Sequence, residues 1–242
     1  MKQPGKTFME MTKYQNMEPT EQQQGKAQPP IEVAFEGETI DLPEPLAANP
    51  KAISVTTAMD TRRSVRVYKQ TPITLEALAY TLWSMQGVKR EVKGITLRTV
   101  PSAGARHAFE LYVLVNNVTG LKNGLYRYLA LSHKLGLISE KDSLKSDLTE
   151  ACLNQKMVSD SAVTFFLAAD VKRMTYRYGE RGYRFLHLDA GHVVQNLYLS
   201  VQAIDCGTVA IAAYDDDKVN KALNLDGENH FVLYIAPVGK IV

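Results

Sequence analysis

A chain of 242 residues, 45% of them hydrophobic, has enough apolar mass for one substantial core, a single α/β domain with appendages. Its 28 Lys and Arg nearly balance 26 Asp and Glu, and a formal charge of +2 excludes the footprint of a general nucleic-acid binder, so any basic cluster needs a local explanation. Cys152 and Cys206 have no CxxC or metal-ligand spacing, no stretch reaches the ~20 apolar residues of a membrane span, and Met1 to Lys6 leads into no apolar run. A soluble, cytoplasmic protein without a secretory signal is expected.

Residues 1–49 read as an extended N-terminal arm. Gln22 to Gln24, Pro29-Pro30 and Leu42-Pro43-Glu44-Pro45 make a polar, proline-punctuated segment that builds no core of its own. It is either disordered or laid across a neighbouring subunit, anchored by Phe8, Met9, Met11 and Tyr14. The compact domain spans 50–242. A helix from about Ile53 to Asp60 delivers the chain to Thr61-Arg62-Arg63-Ser64-Val65-Arg66-Val67-Tyr68. The β-branched Val65 and Val67 favour extended backbone, in which alternate side chains share a face. Arg62, Ser64 and Arg66 then converge on one object while Val65 and Val67 turn into the core. A guanidinium fork suits phosphate oxygens, and the hydroxyl adds a donor. The competing reading is a solvated basic strand edge or a surface salt-bridge cluster.

Thr74 to Gly87 is a helix with Thr74 as N-cap, Leu75, Leu78, Leu82 and Met85 on one face, and Gly87 as its stop. Glu110 to Val115 reads as a strand with an Asn116-Asn117 turn, and Gly124 to Tyr128 with His133 to Ile138 as a hairpin. Val163 to Ala169 is apolar almost throughout, the pattern of a strand buried on both faces. A long helix runs from about Gly182 to Asp205, buries Leu186, Ala190, Val193, Val194, Leu197, Val201 and Ile204, and ends at Gly207. Val209 to Ala213, a short helix near Lys218 to Leu223 and the strand Phe231 to Pro237 complete the domain.

Three further segments carry chemistry. Pro101-Ser102-Ala103-Gly104-Ala105-Arg106-His107 has small residues that let backbone approach a flat ligand, although such runs are also ordinary turns. Leu188-Asp189-Ala190-Gly191-His192 begins a stretch whose small residues permit close helix packing, most simply a core helix. In Pro237-Val238-Gly239-Lys240, Gly239 turns the strand end and Lys240 supplies a cation. The five histidines make no HxxxH or HxH pair, so no metal site is expected.

The order and spacing of the arginine-arginine-serine segment, the Pro-Ser-Ala-Gly turn, the Asp-Ala-Gly-His helix and the closing Val-Gly-Lys resemble the nitroreductase family of flavoproteins, from about residue 50 onward. Pro101 to Tyr112, Gly124-Leu125-Tyr126-Arg127-Tyr128 with His133 and Leu135, and Tyr178 to Arg184 look like its SagB-type dehydrogenase branch, as does the arm. The resemblance implies an α+β protomer, a mixed sheet flanked by helices, in an intertwined homodimer with FMN at the interface. It gives Arg62, Ser64 and Arg66 to the FMN phosphate and ribityl chain, Arg63 to the pyrimidine end, and Lys240 to the phosphate. Pro101, Ser102, Ala103 and Gly104 would come from the partner subunit along the flavin, with Ile211, Ala212 and Ala213 near the ring.

The chain departs from the family at two places. Ala210-Ile211-Ala212-Ala213 stands where a Pro-x-Glu-Gly pattern is common, and Ala105 replaces a common asparagine. The implied activity is ping-pong transfer from NAD(P)H to a nitroaromatic, quinone or similar small oxidant, the flavin carrying the chemistry. One branch oxidises azolines in peptides with a Lys-Tyr pair. The aligned pair here is Arg177-Tyr178, in which Tyr178 could serve and an arginine cannot be the base. Azoline dehydrogenation and a flavin-binding module without turnover are the alternatives.

Overall fold

The computed structural model describes residues 3–242; Met1 and Lys2, at the head of the arm, lie outside the described residues. The arm opens with α1 (Pro4–Met11) and contributes the short strand β1 (Thr39–Asp41). Helix α2 (Val55–Thr61) is capped by Ser54, whose Oγ accepts the Thr57 N–H at 3.0 Å. Helix α3 (Leu75–Gln86) starts under Thr74 and stops at Gly87, as the periodicity predicts.

An unanticipated hairpin follows, β2 (Val88–Val92) and β3 (Ile95–Arg98), and then β4 (Phe109–Val115), β5 (Gly124–Leu129) and β6 (Lys134–Ser139). Helices α4 (Leu144–Ala151) and α5 (Met157–Asp160) precede β7 (Val163–Asp170). After it come α6 (Val171–Tyr178), α7 (Gly182–Ser200), β8 (Cys206–Thr208), α8 (Asp216–Ala222) and β9 (His230–Lys240).

Seven strands form one sheet in the order β1-β6-β5-β4-β7-β9-β8. All its named strand pairs are antiparallel, and parallel pairing among the described residues is confined to isolated bridges, Ser64 to Thr208 beside β8 and Ile73 to Val118 beyond β4. The α+β class expected from the sequence therefore holds, with an antiparallel sheet where the word mixed suggested more parallel pairing. β7, between β4 and β9, is buried at every position, as its unbroken apolar run requires. α3 and α7 pack on one face over Leu78, Leu82, Phe165, Leu186, Val193 and Leu197, while α4 and α8 cover a second cluster around Phe166 and Ile235. The long helix ends earlier than predicted. α7 gives way to a 3-10 turn at Val201–Ile204, and Asp205 closes it at φ +54°, so Gly207 belongs to a strand.

The arm lies along its own chain. Arg127 donates to the carbonyls of Val33 and Ala34 at 2.7 and 3.1 Å, with its guanidinium 5.1 Å from the Phe35 ring centroid. Arg98 reaches the Ile31 carbonyl, Tyr176 Oη donates to the Lys26 carbonyl at 3.0 Å, and Arg181 donates to the Thr12 carbonyl at 2.7 Å. His133 Nε2 lies 3.0 Å from the Pro43 carbonyl, so that nitrogen is the donor and Nδ1 accepts from Tyr128 Oη at 2.8 Å. The Tyr128 and His133 of the hairpin motif thus tie down the proline segment. Under the arm sits a buried charge cluster: Glu110 pairs with Arg173 and lies 4.0 Å from Arg127, and Arg173 Nε is 3.0 Å from Asp170.

Candidate active site

Leaving α2, the arginine segment runs extended along β8, with the Val65 N–H donating to the Thr208 carbonyl at 2.9 Å. This approach needs Gly207, because a Cβ there would stand 2.6 Å from Val65 Cγ2 and 2.9 Å from Ile241 Cγ2. Tyr68 locks the far end, its buried hydroxyl 2.9 and 3.1 Å from the carbonyls of Val65 and Pro237. Tyr198 of α7 organises the near end. Its hydroxyl accepts the Ala210 N–H at 2.8 Å and lies 3.2 Å from Ser64 Oγ, and the Arg62 guanidinium stands 5.1 Å from its ring centroid.

Arg62, Arg63 and Arg66 have no carboxylate within 4.0 Å among the described residues. A salt-bridge cluster is therefore not what these side chains form. The pleat puts Arg63 and Val65 on the other side, lining a cleft of about 460 Å³ with Gln202, Asp205 and Cys206. Val67 departs from the expectation: it is 69% exposed, although the backbone on either side of it is paired, Ser64 with Thr208 and Tyr68 with Ile241.

Lys240 Nζ donates to the Ile204 carbonyl at 2.7 Å, satisfying the end of the turn after α7. The Ile211 side chain is in the core, and its backbone pairs in both directions with Ile235 at 2.8 and 3.1 Å, so it presents no side chain to a ring. Ala212 and Ala213 are exposed beyond it.

The second group gathers around the Pro101–Gly104 turn. Asp189 of α7 holds it: the carboxylate accepts from Ser102 Oγ at 2.6 Å and from the Ala103 N–H at 3.2 Å, and Ser102 Oγ accepts the His107 N–H at 2.9 Å. Burial pushes the Asp189 carboxyl above the usual range, which these hydrogen bonds oppose. Gly104 has φ +58°, and a Cβ there would lie 2.6 Å from Tyr178 Oη and 2.9 Å from Arg177 Nε. Tyr178 packs on Phe185 with ring centroids 4.6 Å apart, and its hydroxyl makes no hydrogen bond among the described residues. The turn borders a cleft of about 530 Å³ lined also by Lys89, Arg90, Arg98 and His107.

Sequence reasoning assigns no ligand role to Asp189 or to the buried charge cluster under the arm. The signal was present: a charged residue inside an otherwise apolar strand or helix face, as at Glu110, Arg127 and Asp189, must find a partner in the interior.

His107 is the most perturbed base of this group. Burial first, and the neighbouring Arg98 second, depress its pKa from 6.5 to about 3, and Nδ1 is buried without a partner. A neutral His107 contributes its stability above pH 6.5, and that stability is lost as pH falls from 6.5 through 3, at up to ~1.4 kcal/mol per pH unit. His107→Asn is expected to flatten the loss of urea-unfolding stability between pH 6.5 and 4 relative to the unsubstituted protein. Parallel pH curves would show that His107 takes up no proton on unfolding.

The two groups hang from one helix. Asp189 and Tyr198 are nine positions apart in α7, ~14 Å along its axis, and the cleft beside the arginines contains none of Pro101 to Gly104. Between them α7 shows a bare face. Leu188 is 59% exposed, Gln195 is exposed, and a Cβ on Gly191 would meet nothing within 4 Å.

The donor set fits a flavin mononucleotide: uncompensated guanidiniums and a hydroxyl for a phosphate at one place, and a turn of small residues for a flat ring at the other. No helix among the described residues is long and apolar enough to cross a membrane.

Residues 59–240 match the Nitroreductase family. A provisionally named nitroreductase of Methanocaldococcus jannaschii is 36% identical over 179 residues, 74% of this chain and 87% of that protein. A solved structure of a provisionally named nitroreductase from Anabaena variabilis superposes with a TM-score of 0.65 at 31% identity, covering 76% of this chain and 37% of that one. The microcin B17-processing protein McbC of Escherichia coli is 29% identical over 139 residues, 55% of this chain and 50% of that protein. A chain of the E. coli microcin synthetase McbBCD complex with truncated pro-MccB17 bound shares the fold, with a TM-score of 0.62 over 79% of this chain and 75% of that one, at 20% identity. With the sheet, the helix that carries both residue groups and the matched span in agreement, this chain belongs to the nitroreductase family of oxidoreductases.

Proposed function

We propose that the chain is an FMN-dependent oxidoreductase that takes reducing equivalents from NAD(P)H and delivers them, in ping-pong fashion, to a nitroaromatic, quinone or similar small oxidant. The observation that carries the reading is the set of guanidiniums at Arg62, Arg63 and Arg66, which lack carboxylate partners beside Ser64 and Tyr198. FMN would supply the redox chemistry that the side chains cannot.

The chain's own residues bind and orient. Arg62, braced on Tyr198, and Arg66 hold the phosphate. With Tyr198 donating to Ser64 Oγ, the serine proton is left for a ligand oxygen. Arg63, on the other side of the pleat, faces the pyrimidine end. Lys240 adds positive potential from β9. Ser102, Ala103 and Gly104, pinned by Asp189, present backbone to the ring, and Ala212 and Ala213 offer small surfaces near it. The absorbance spectrum of the purified protein, followed by bleaching with NADPH, tests this. A colourless protein that takes up no added FMN overturns it.

The same geometry favours a homodimer. One chain's arginines and its Pro101–Gly104 turn sit at different levels of α7, and Gly191 opens a lane for a second copy on the bare face between them. Light scattering is expected to give a dimer, with an interface in the obligate range of ~2,000 Å² or more. A monomer that binds FMN tightly would contradict it.

A second reading, peptide azoline dehydrogenation, draws on the likeness to McbC and on the unengaged Tyr178 hydroxyl beside Gly104. Removing a proton from carbon needs a placed base, and general acid-base groups contribute about 10²–10⁴-fold. Tyr178→Phe is expected to leave most quinone reduction in place and to abolish azoline oxidation. Loss of quinone reduction with FMN still bound would favour the dehydrogenase.

A further inference from the structure

Two cations approach Gly104. Arg106 is only 6% exposed, yet it has no carboxylate within 4.0 Å among the described residues, and its one hydrogen bond there runs from Nε to the Gly104 carbonyl at 3.3 Å. Among the described residues, the side-chain atoms sealed from solvent with no hydrogen bond are His107 Nδ1, Arg127 Nε and Arg173 Nε, the last two beside carboxylates. The terminal nitrogens of Arg106 are not among them, so they reach solvent. The exposed Arg177 brings Nε to 2.9 Å from where a Gly104 Cβ would stand, and its guanidinium lies 5.7 Å from the Tyr178 ring centroid. It too lacks a carboxylate partner among the described residues.

The protein's other buried arginines are committed to the fold. Arg173 pairs with Glu110 and Asp170, Arg127 clasps the arm, and Arg98 donates to Thr96, Gln86 and Ile31. Arg106 has no such employment. Its burial, and next the like charge of Arg177, depress its pKa, the signature of a cation held where the bare chain disfavours it. An oxyanion lodged between the two guanidiniums would relieve both their repulsion and the missing hydrogen bonds.

We propose that Arg106 and Arg177 form a receptor for an oxyanion of a small substrate, either a carboxylate on the oxidant or the 2′-phosphate of the reduced dinucleotide, and hold it beside Gly104 and the Tyr178 hydroxyl. The identity of those substrates rests on the oxidoreductase reading above. The receptor is distinct from the Arg62–Arg66 cradle, which lies at the other level of α7. Its fork of donors fixes the orientation of the bound molecule as well as its affinity.

The test is calorimetric titration of two ligand pairs, 4-nitrobenzoate against nitrobenzene and NADP⁺ against NAD⁺, into the full chain with and without FMN. The unsubstituted protein is expected to favour the anionic member of one pair by about tenfold or more, and Arg106→Gln and Arg177→Gln each to remove most of that preference. The pair that responds identifies the source of the oxyanion. If Arg106→Gln fails to fold by circular dichroism, the exposed Arg177→Gln carries the test. The proposal is overturned if neither pair is discriminated, if the preference survives the substitutions, or if Arg106→Gln releases FMN while the preference stays. Failure to take up FMN with an intact, substitution-sensitive anion preference would overturn the reductase reading and leave the receptor standing.

Discussion

Arg62→Ala is expected to weaken FMN binding ten- to hundredfold, whereas Lys240→Ala changes it far less. The difference follows from how each cation is held. Arg62 is half-buried, stacked over Tyr198 and free of any carboxylate among the described residues, so its donors have no internal ion pair to give up when they bind a phosphate. Lys240 is occupied with the Ile204 carbonyl at 2.7 Å and would have to leave it to reach a phosphate. A charge-assisted hydrogen bond contributes ~1.5–3 kcal/mol, which sets the range. Flavin remaining after exhaustive dialysis, compared at equal melting temperature, measures it. Equal retention by Arg62→Ala and the unsubstituted protein would show that the cluster does not hold the phosphate.

Glu110→Ala is expected to cost ~3–5 kcal/mol of folding stability, a large part of what a domain of this size has. Glu110 is 5% exposed, pairs with Arg173, lies 4.0 Å from Arg127 and accepts the Val33 N–H at 3.0 Å. Its loss leaves Arg127 without a counter-charge and unhooks the arm at Val33. Two readouts should therefore move together: the urea midpoint falls, and limited proteolysis begins within residues 20–40 at denaturant concentrations where the rest still resists. A midpoint shift worth less than ~1 kcal/mol of unfolding free energy would show that Asp170 alone compensates the cluster.

Periodicity made the long helices α3 and α7 and the central strands legible. Thr74 and Gly87 bracket α3 because capping is local chemistry, and β7 was visible because a strand covered on both faces has no polar side. The hairpin of β2 and β3 was not legible, since Val88-Lys89-Arg90-Glu91-Val92 has three consecutive charged residues and pairs out on the surface. α6 was missed for a related reason: Arg173 and Tyr176 occupy its buried side and break the apolar pattern, and their partners, Glu110 and the Lys26 carbonyl, are distant in sequence. At the site, alternation separated Arg62 and Ser64 from Arg63, but it turned Val67 inward, where the structure leaves it 69% exposed between the paired residues Ser64 and Tyr68. What residue types could not reveal was the spacing of the two halves along α7, which depends on the register of the whole helix against β9 and α3.

The pairing of Ser64 with β8 also has a consequence for the order of events in biosynthesis. β8 is held by β9, and Tyr68 is pinned to Pro237 within β9 and bridges Ile241 just after it. The arginine segment is thus translated more than 160 residues before the strand that fixes its backbone, a separation read directly from Tyr68 and Pro237. During synthesis it is a free basic peptide with no shape of its own. β9 must then insert between β7 and β8, a pairing of high sequence separation that comes late in folding. If FMN binds at the arginine segment as proposed, its capture reports completion of the sheet, and a ribosome-stalled chain that stops short of residue 230 should retain no flavin, however well its helices have formed.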